Sequence, residues 1–427
     1  MRILLVNAFH YLRGGVERTY LDESRWLAAA GHEIAHLATR DPRNLPSPTS
    51  ARFAPAADYG EGAPLGRQLA QLPRALWSRP AEAAAAASVS EFRPEVAHVH
   101  APSRYLTPSI LRPFERAGVP VVMTLHDFKP WCTNRILFAH GAPCERCKGG
   151  RHWHSFAIGC VQGSRAKSAV GMVEAYLHAA IGAYRAVRLW IAPSSFVLEK
   201  AAAFGVDRAR LRLLPHGVDA GAGITHPGGA APAAAPAPRT ATGEPIEPAT
   251  PYVLYAGRLS TEKGVRLLPA LAMRLAPVPL VVVGEGPLGE WLASQIASLP
   301  NLKVLGYRPE ASLTALRRGA AVVVVPSLFY EHFCYAAAEA LLESRPVVAS
   351  RIGAIPEIVE HERTGLLAPP GDPHALAEAV KRALEDPEAA RWAEAGRARV
   401  LDLGAPGRHI ERLIAIYREA MGSGPAR

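Results

Sequence analysis

Short apolar runs alternate along the chain with stretches whose apolar residues recur at helical spacing. RILLVN at Arg2 to Asn7 is nearly continuous, as in a strand buried on both faces. A polar turn holding Gly14 and Gly15 follows, and then Val16, Tyr20, Leu21 and Trp26 to Ala30 trace a helix up to Gly31. Further strands are predicted at Glu33 to Ala38, Val96 to Val99, Val121 to Leu125 and Leu189 to Pro193, with helices over Ala169 to Val187 and Ser194 to Phe204. The alternation restarts at Tyr252 to Ala256. It continues through Leu280 to Val283, Leu302 to Gly306, the valine run that stops at Pro326, Pro346 to Ser350 and Gly365 to Asp372. Helical patterns intervene at Val265 to Leu275 and Ala311 to Arg318, and close the chain at Pro373 to Glu385, Glu388 to Leu401 and Gly407 to Met421. Strand, turn and helix in repeated succession imply an α/β fold of doubly wound parallel sheets.

The two series are separated by residues 220–250, mostly Ala, Pro and Gly, which offer no core and read as a linker. The expected organisation is therefore a domain over 1–219, the linker, a second domain over 251–405, and a last amphipathic helix within 406–427. An insertion near 129–163, rich in Gly, His and Arg, interrupts the first domain without a clear period.

Length supports this division, since 427 residues with 49% hydrophobic content fill two cores. A formal net charge of +10 favours polyanionic partners: phosphorylated substrates or an anionic membrane face. Nucleic acid is excluded as a partner, because no aromatic-and-basic recognition motif accompanies the charge. No transmembrane stretch or signal peptide is visible, and five cysteines in so long a chain make no disulfide framework, so a cytoplasmic location is expected. Gly66 to Pro80 interleaves Arg67, Arg74 and Arg79 with leucines and Trp77, a pattern that suits peripheral contact with the inner face of an anionic membrane; Pro73 argues against one continuous helix there.

Candidate chemistry sits at strand ends. Glu331 lies in the short loop after the valine run and Glu339 eight positions on, inside an alanine-rich helix, a layout suited to gripping a sugar nucleotide. Arg258 and Lys263 share the turn GRLSTEKG, where two cations neutralise a diphosphate leaving group. Gly14 and Gly15 allow a phosphate or sugar to approach a helix start. His126, directly after a strand, faces the ligand crevice of an open sheet. Cys132, Cys144, Cys147 and Cys160 in the insertion are candidate ligands for a structural zinc, with reduced thiols as the rival. A literal G-x-G-x-x-G at Gly284, Gly286 and Gly289 is discounted as a dinucleotide fingerprint: it lies mid-domain, Pro287 breaks the turn, and Glu285 places an anion where a pyrophosphate would sit.

In this order the motifs resemble the retaining GT-B glycosyltransferases of glycosyltransferase family 4. They are Gly14-Gly15-Val16-Glu17, PEVAHVHA, TLHD and LLPHGVD, then AGRLSTEKG, VVGEGP, LGYRPE, the two glutamates, GAIPEIV and TGLLAPPGD. The resemblance implies two facing Rossmann-like domains with a C-terminal crossover helix returning to the first. It implies that Arg258 and Lys263 hold the diphosphate, Glu339 the ribose, and Glu331 the donor sugar. Gly15 would approach the donor from the first domain, His126 would lie by the sugar, and Tyr307 and Arg308 would face the base. The implied activity is metal-independent hexosyl transfer from a nucleotide diphosphate sugar to a glycan or lipid-linked acceptor, with no cofactor needed for catalysis; no Asp-x-Asp metal motif occurs. A sugar-nucleotide 2-epimerase and a non-catalytic glycosyltransferase-like binding protein are the alternatives. His332 and Cys334 stand where many relatives have glycines, and His216 where the usual residue is Asn.

Overall fold

The computed structural model describes residues 1–56, 65–219 and 251–422, with the side chains of 65–70 excepted. The expected linker lies outside the described residues. The chain forms two compact units. One comprises Met1–Leu137, Glu145–Gly217 and Pro406–Arg427, the other Phe138–Cys144 and Val218–Ala405.

In the first unit six strands pair in parallel: β1 (Arg2–Val6), β2 (Glu33–Leu37), β3 (Val96–Val99), β4 (Val121–Thr124), then, after the small antiparallel pair β5 (Phe138–Ala139) and β6 (Ala142–Pro143), β7 (Val187–Ala192) and β8 (Leu211–Leu213). Their order is β2-β1-β3-β4-β7-β8, so the winding reverses between β1 and β3. β1, β3 and β4 are buried along their interiors, β3 with His98 among its apolar residues, because helices cover both faces. The last helix, Pro406–Gly422, belongs to this unit. Leu413, Ile416, Tyr417 and Ala420 pack with Ile3, Leu5, Tyr20 and Leu27.

In the second unit β9 (Val253–Ala256), β10 (Leu280–Val283), β11 (Leu302–Gly306), β12 (Val322–Val325), β13 (Val347–Ser350) and β14 (Leu366–Ala368) lie in the order β11-β10-β9-β12-β13-β14. This is the 3-2-1-4-5-6 order of dinucleotide-binding sheets, with its switch point between β9 and β12. One core cluster lies on each face of this sheet. Both sheets match the expected parallel, doubly wound class.

As expected, Gly66 to Pro80 is not one continuous helix: a helix over Leu65–Leu76, carrying Pro73 within it, ends before another begins at Arg79. One local expectation needs correction. The insertion is not all loop, since it holds the β5–β6 pair and a helical turn at Trp153–Ile158.

Buried histidines make the first unit acid-sensitive. Ser24 and Ser47 hydroxyls occupy both nitrogens of His36 at 2.8 and 3.2 Å, and His10 Nδ1 meets the Tyr20 hydroxyl at 2.8 Å. Burial lowers His36 to about 3, with His10 adding to the effect, and lowers His10 to about 4. Both stay neutral in the fold while the unfolded chain takes up protons below pH 6.5. Their contribution is complete above that pH and is lost as pH falls towards the folded values, by about 1.4 kcal/mol per pH unit for each ring. Urea midpoints at pH 7.5 and 5.0 are expected to differ clearly; coincident midpoints would contradict this assignment.

Candidate active site

The second unit gathers its polar groups at the switch point, where the carboxyl ends of β9 and β12 diverge. After β9 the chain turns through Arg258, which is exposed, to Lys263 in a short 3-10 turn. After β12 it turns through Ser327 and Phe329 to Glu331. Lys263 Nζ lies 2.8 Å from Glu331 Oε1, the Ser327 hydroxyl donates to the same oxygen at 2.7 Å, and the ammonium sits 4.8 Å from the centre of the Phe329 ring. Glu331 is 6% exposed, so these donors rather than water meet its Oε1. Burial opposes the charge on Lys263, but Glu331 and Glu262 outweigh it and hold the ammonium above its usual range.

This approach needs glycine at two points. A Cβ on Gly264, at φ +76°, would lie 1.9 Å from the Pro326 carbonyl oxygen. One on Gly353, at φ +58°, would lie 2.5 Å from the Glu331 amide nitrogen, beside the Ala354 N–H that donates to the Glu331 carbonyl at 2.9 Å. Gly264→Ala is therefore expected to cost about 3 kcal/mol of stability, seen as a lowered urea midpoint; an unchanged midpoint would contradict the tight packing. Gly284 and Gly286 serve the same loop, since Cβ atoms there would strike the carbonyl oxygens of Gly257 and Leu259 at 1.9 and 2.5 Å. The discounted glycine motif thus has a packing role beneath Arg258.

Glu339 sits in the helix Tyr335–Leu342, whose preceding residue Cys334 takes a left-handed φ of +71°. A glycine is ordinarily favoured there, and burial, with the nearby Glu331 carboxylate, pushes the Cys334 thiol up to about 12. The neighbouring His332 is held neutral at about 3 by burial and by Lys263. Glu339 is paired with Arg317, which also meets Glu310 and the Thr314 hydroxyl. Sequence reasoning missed Arg317. The signal was its place on the helix Glu310–Gly319, four residues after Leu313 and on the same face, with only 4% of its side chain exposed. Tyr307 is 64% exposed, and Arg308 donates to its carbonyl at 2.9 Å.

In the first unit, Gly14 caps the helix Gly15–Ala29 with an extended φ of −176°, and a Cβ there would find its nearest neighbour, Glu17 Oε2, at 3.8 Å. The packing leaves room at that position for other residues. Glu17, in the first helical turn, is buried next to Asn7, and burial raises its carboxyl. His126 follows β4. It is stacked between His100 at 5.2 Å and His216 at 5.0 Å, and lines a cavity of about 20 Å³ with Asp127, Lys129 and Glu174. Lys129 and Glu174 pair at 2.7 Å beside it.

Among the described residues no three of the sulfurs of Cys132, Cys144, Cys147 and Cys160 come within 4.8 Å of one another. Cys132 donates to Asn134 at 2.9 Å, and burial pushes its thiol up to about 12. A thiolate zinc site requires converging sulfurs, which lose their protons as the metal binds. Metal analysis is expected to find well under one zinc per chain, and one equivalent would contradict the placement. In the basic segment, the Trp77 N–H donates to Glu82 at 3.1 Å and Arg112 covers its ring at 4.3 Å, so the indole expected at a membrane is engaged within the unit. Among the described residues no helix is long and apolar enough to cross a membrane.

Two family descriptions match the chain: Glycosyltransferase Family 4 over residues 13–221 and Glycosyl transferases group 1 over 250–386. Glycogen synthase from Mycobacterium tuberculosis is 35% identical over 205 residues, 46% of this chain and 45% of that protein. The chain thus spans less than half the length of that curated relative. Among solved structures, sucrose-phosphate synthase from Thermosynechococcus elongatus matches 99% of this chain and 100% of its own with a TM-score of 0.67 at 22% identity. HepE of Anabaena, solved with UDP-glucose, matches 98% and 100% with a TM-score of 0.65 at 19% identity. At these identities the two structures establish the fold, which is GT-B.

Proposed function

Because this chain belongs to the glycosyltransferases of family 4 and group 1, we propose that it moves a hexose from a nucleotide diphosphate sugar to a glycan or lipid-linked acceptor, retaining the anomeric configuration. One observation carries the reading: the Lys263–Glu331–Ser327 contact at the switch point of a 3-2-1-4-5-6 sheet, with Arg258 on the same turn. Crevices at this point of an open α/β sheet hold nucleotides. A diphosphate there meets two cations, the exposed Arg258 and the Lys263 ammonium that Glu331 holds, and its departure places negative charge where they stand.

In the proposed step the bond from the sugar's anomeric carbon to the diphosphate oxygen breaks, and the acceptor oxygen bonds that carbon from the same face. The acceptor's proton passes to the leaving phosphate. Glu331 accepts from hydroxyls of the sugar that moves. Glu339, with one oxygen held by Arg317, accepts from the ribose that stays. No metal is needed in this scheme, since Arg258 and Lys263 supply the countercharge. UDP-glucose in the HepE structure supports a nucleotide sugar as donor class.

A thermal-shift screen of the chain against UDP-, GDP- and ADP-hexoses tests the reading. At least one is expected to raise the melting temperature, and release of the nucleoside diphosphate is expected to depend on added acceptor. Conversion of the donor alone would favour the 2-epimerase, and donor binding without turnover under any acceptor would favour a binding protein.

A further inference from the structure

The first unit brings three ligand-type side chains together in its interior, away from the chemistry proposed above. Glu23 lies on the helix Gly15–Ala29, His98 within β3 and His100 just past its end, and none is more than 2% exposed. Being two apart along an extended chain, the two histidines fall on one face. Glu23 Oε2 is 3.4 Å from His98 Nδ1 and 3.5 Å from His100 Nε2, and the three atoms all lie within 4.8 Å of one another.

Two of these three atoms, Glu23 Oε2 and His100 Nε2, are buried without a hydrogen-bond partner. Buried polar atoms are nearly always satisfied, so two such atoms side by side call for a third group. No lysine or arginine supplies it. Among the described residues the ion-pair contacts of Glu23 are the rings of His98, His100 and His409. A carboxylate taken this far from water is paired with a cation or coordinates a metal.

The far atoms of the same three side chains are held. Glu23 Oε1 meets His409 Nε2 at 3.1 Å, His98 Nε2 meets the Thr124 hydroxyl at 2.7 Å, and His100 Nδ1 meets His126 Nε2 at 3.0 Å. Metal-binding side chains are steadied in this way, through the atom that does not bind. The spacing agrees. Tetrahedral bonds of about 2.0–2.2 Å from imidazole and carboxylate leave ligand atoms about 3.3–3.5 Å apart. Both measured contacts of Oε2 fit that separation.

We propose that Glu23 Oε2, His98 Nδ1 and His100 Nε2 form a site for one divalent transition metal. Two imidazoles and a carboxylate suit zinc and its first-row neighbours, cobalt(II) among them. The metal's part is structural: it joins the helix Gly15–Ala29 to β3, and neither the site nor its test depends on the proposed transfer reaction. One group competes with it. The Tyr417 hydroxyl lies 2.7 Å from His98 Nδ1 and has to release that nitrogen before a metal takes it. This cost makes the site one that fills from supplied metal and loses it during purification, in keeping with the low zinc content expected above.

The test is titration of cobalt(II) into the chelator-treated full chain at pH 7.5. The wild type is expected to take up one equivalent with the intense visible absorption of a four-coordinate ion, and its melting temperature is expected to rise with cobalt concentration. Glu23→Gln and His100→Gln are each expected to weaken binding at least about 10-fold. Tyr417→Phe, which keeps the ring and removes the competing hydroxyl, is expected to bind several-fold tighter. No such absorption in the wild type would overturn the proposal. So would binding that survives Glu23→Gln and His100→Gln unchanged, the mark of adventitious ions at exposed histidines, or unchanged or weaker binding in Tyr417→Phe. If Glu23→Gln and His100→Gln do not fold, the wild type and Tyr417→Phe decide between them.

Discussion

Lys263→Ala is expected to lower kcat/KM for sugar transfer by about 10²- to 10³-fold, the scale of removing one charged group aimed at developing negative charge. The side chain has two separable duties. Towards the donor it offsets diphosphate charge, and in the free protein it compensates Glu331 at 2.8 Å. Removing it leaves a carboxylate of 6% exposure with the Ser327 hydroxyl as its remaining donor within the described loop. Lys263 itself is 31% exposed, so the stability loss is set at about 2 kcal/mol, below that of a fully buried pair. Chemical denaturation separates the duties, because Lys263→Ala with Glu331→Ala should recover stability but not transfer. Recovery of transfer in the double variant would contradict a direct role for the lysine.

Glu331→Ala is expected to abolish measurable transfer while leaving nucleotide diphosphate binding within a few-fold. On the proposed reading the carboxylate serves the sugar that moves and Lys263 and Arg258 serve the diphosphate. Glu331→Gln should retain some activity, since an amide oxygen still accepts from hydroxyls but no longer balances the ammonium. If Glu331→Ala instead weakens binding of the free nucleoside diphosphate as strongly as that of the sugar donor, the division between Glu331 and the two cations fails.

The sheets were legible because buried parallel strands appear as unbroken valine and leucine runs, and the two sites were approachable because their loops begin where those runs stop. Long-range partners were much harder to see. Arg317 and Glu339 are 22 positions apart and meet only once the helix Glu310–Gly319 is set beside the helix Tyr335–Leu342. Glu23 reads as one more polar residue in LDESR, although its spacing from Tyr20 and Leu27 places it on the buried face. His98 and His100, two apart on a strand and its end, share a face for the same kind of reason. The Cys334 position shows a different limit. Its left-handed backbone is one that glycine adopts most readily, but spacing alone does not indicate that a buried thiol can occupy it.

The central claim, that the second unit binds a nucleotide diphosphate sugar through Arg258 and Lys263, is tested most directly by calorimetric titration of the intact chain with UDP-, GDP- and ADP-hexoses. The account predicts saturable binding of at least one donor, weakened at least 10-fold in Arg258→Ala and in Lys263→Ala. No binding by the wild type, or equal affinity in wild type and both variants, would contradict it.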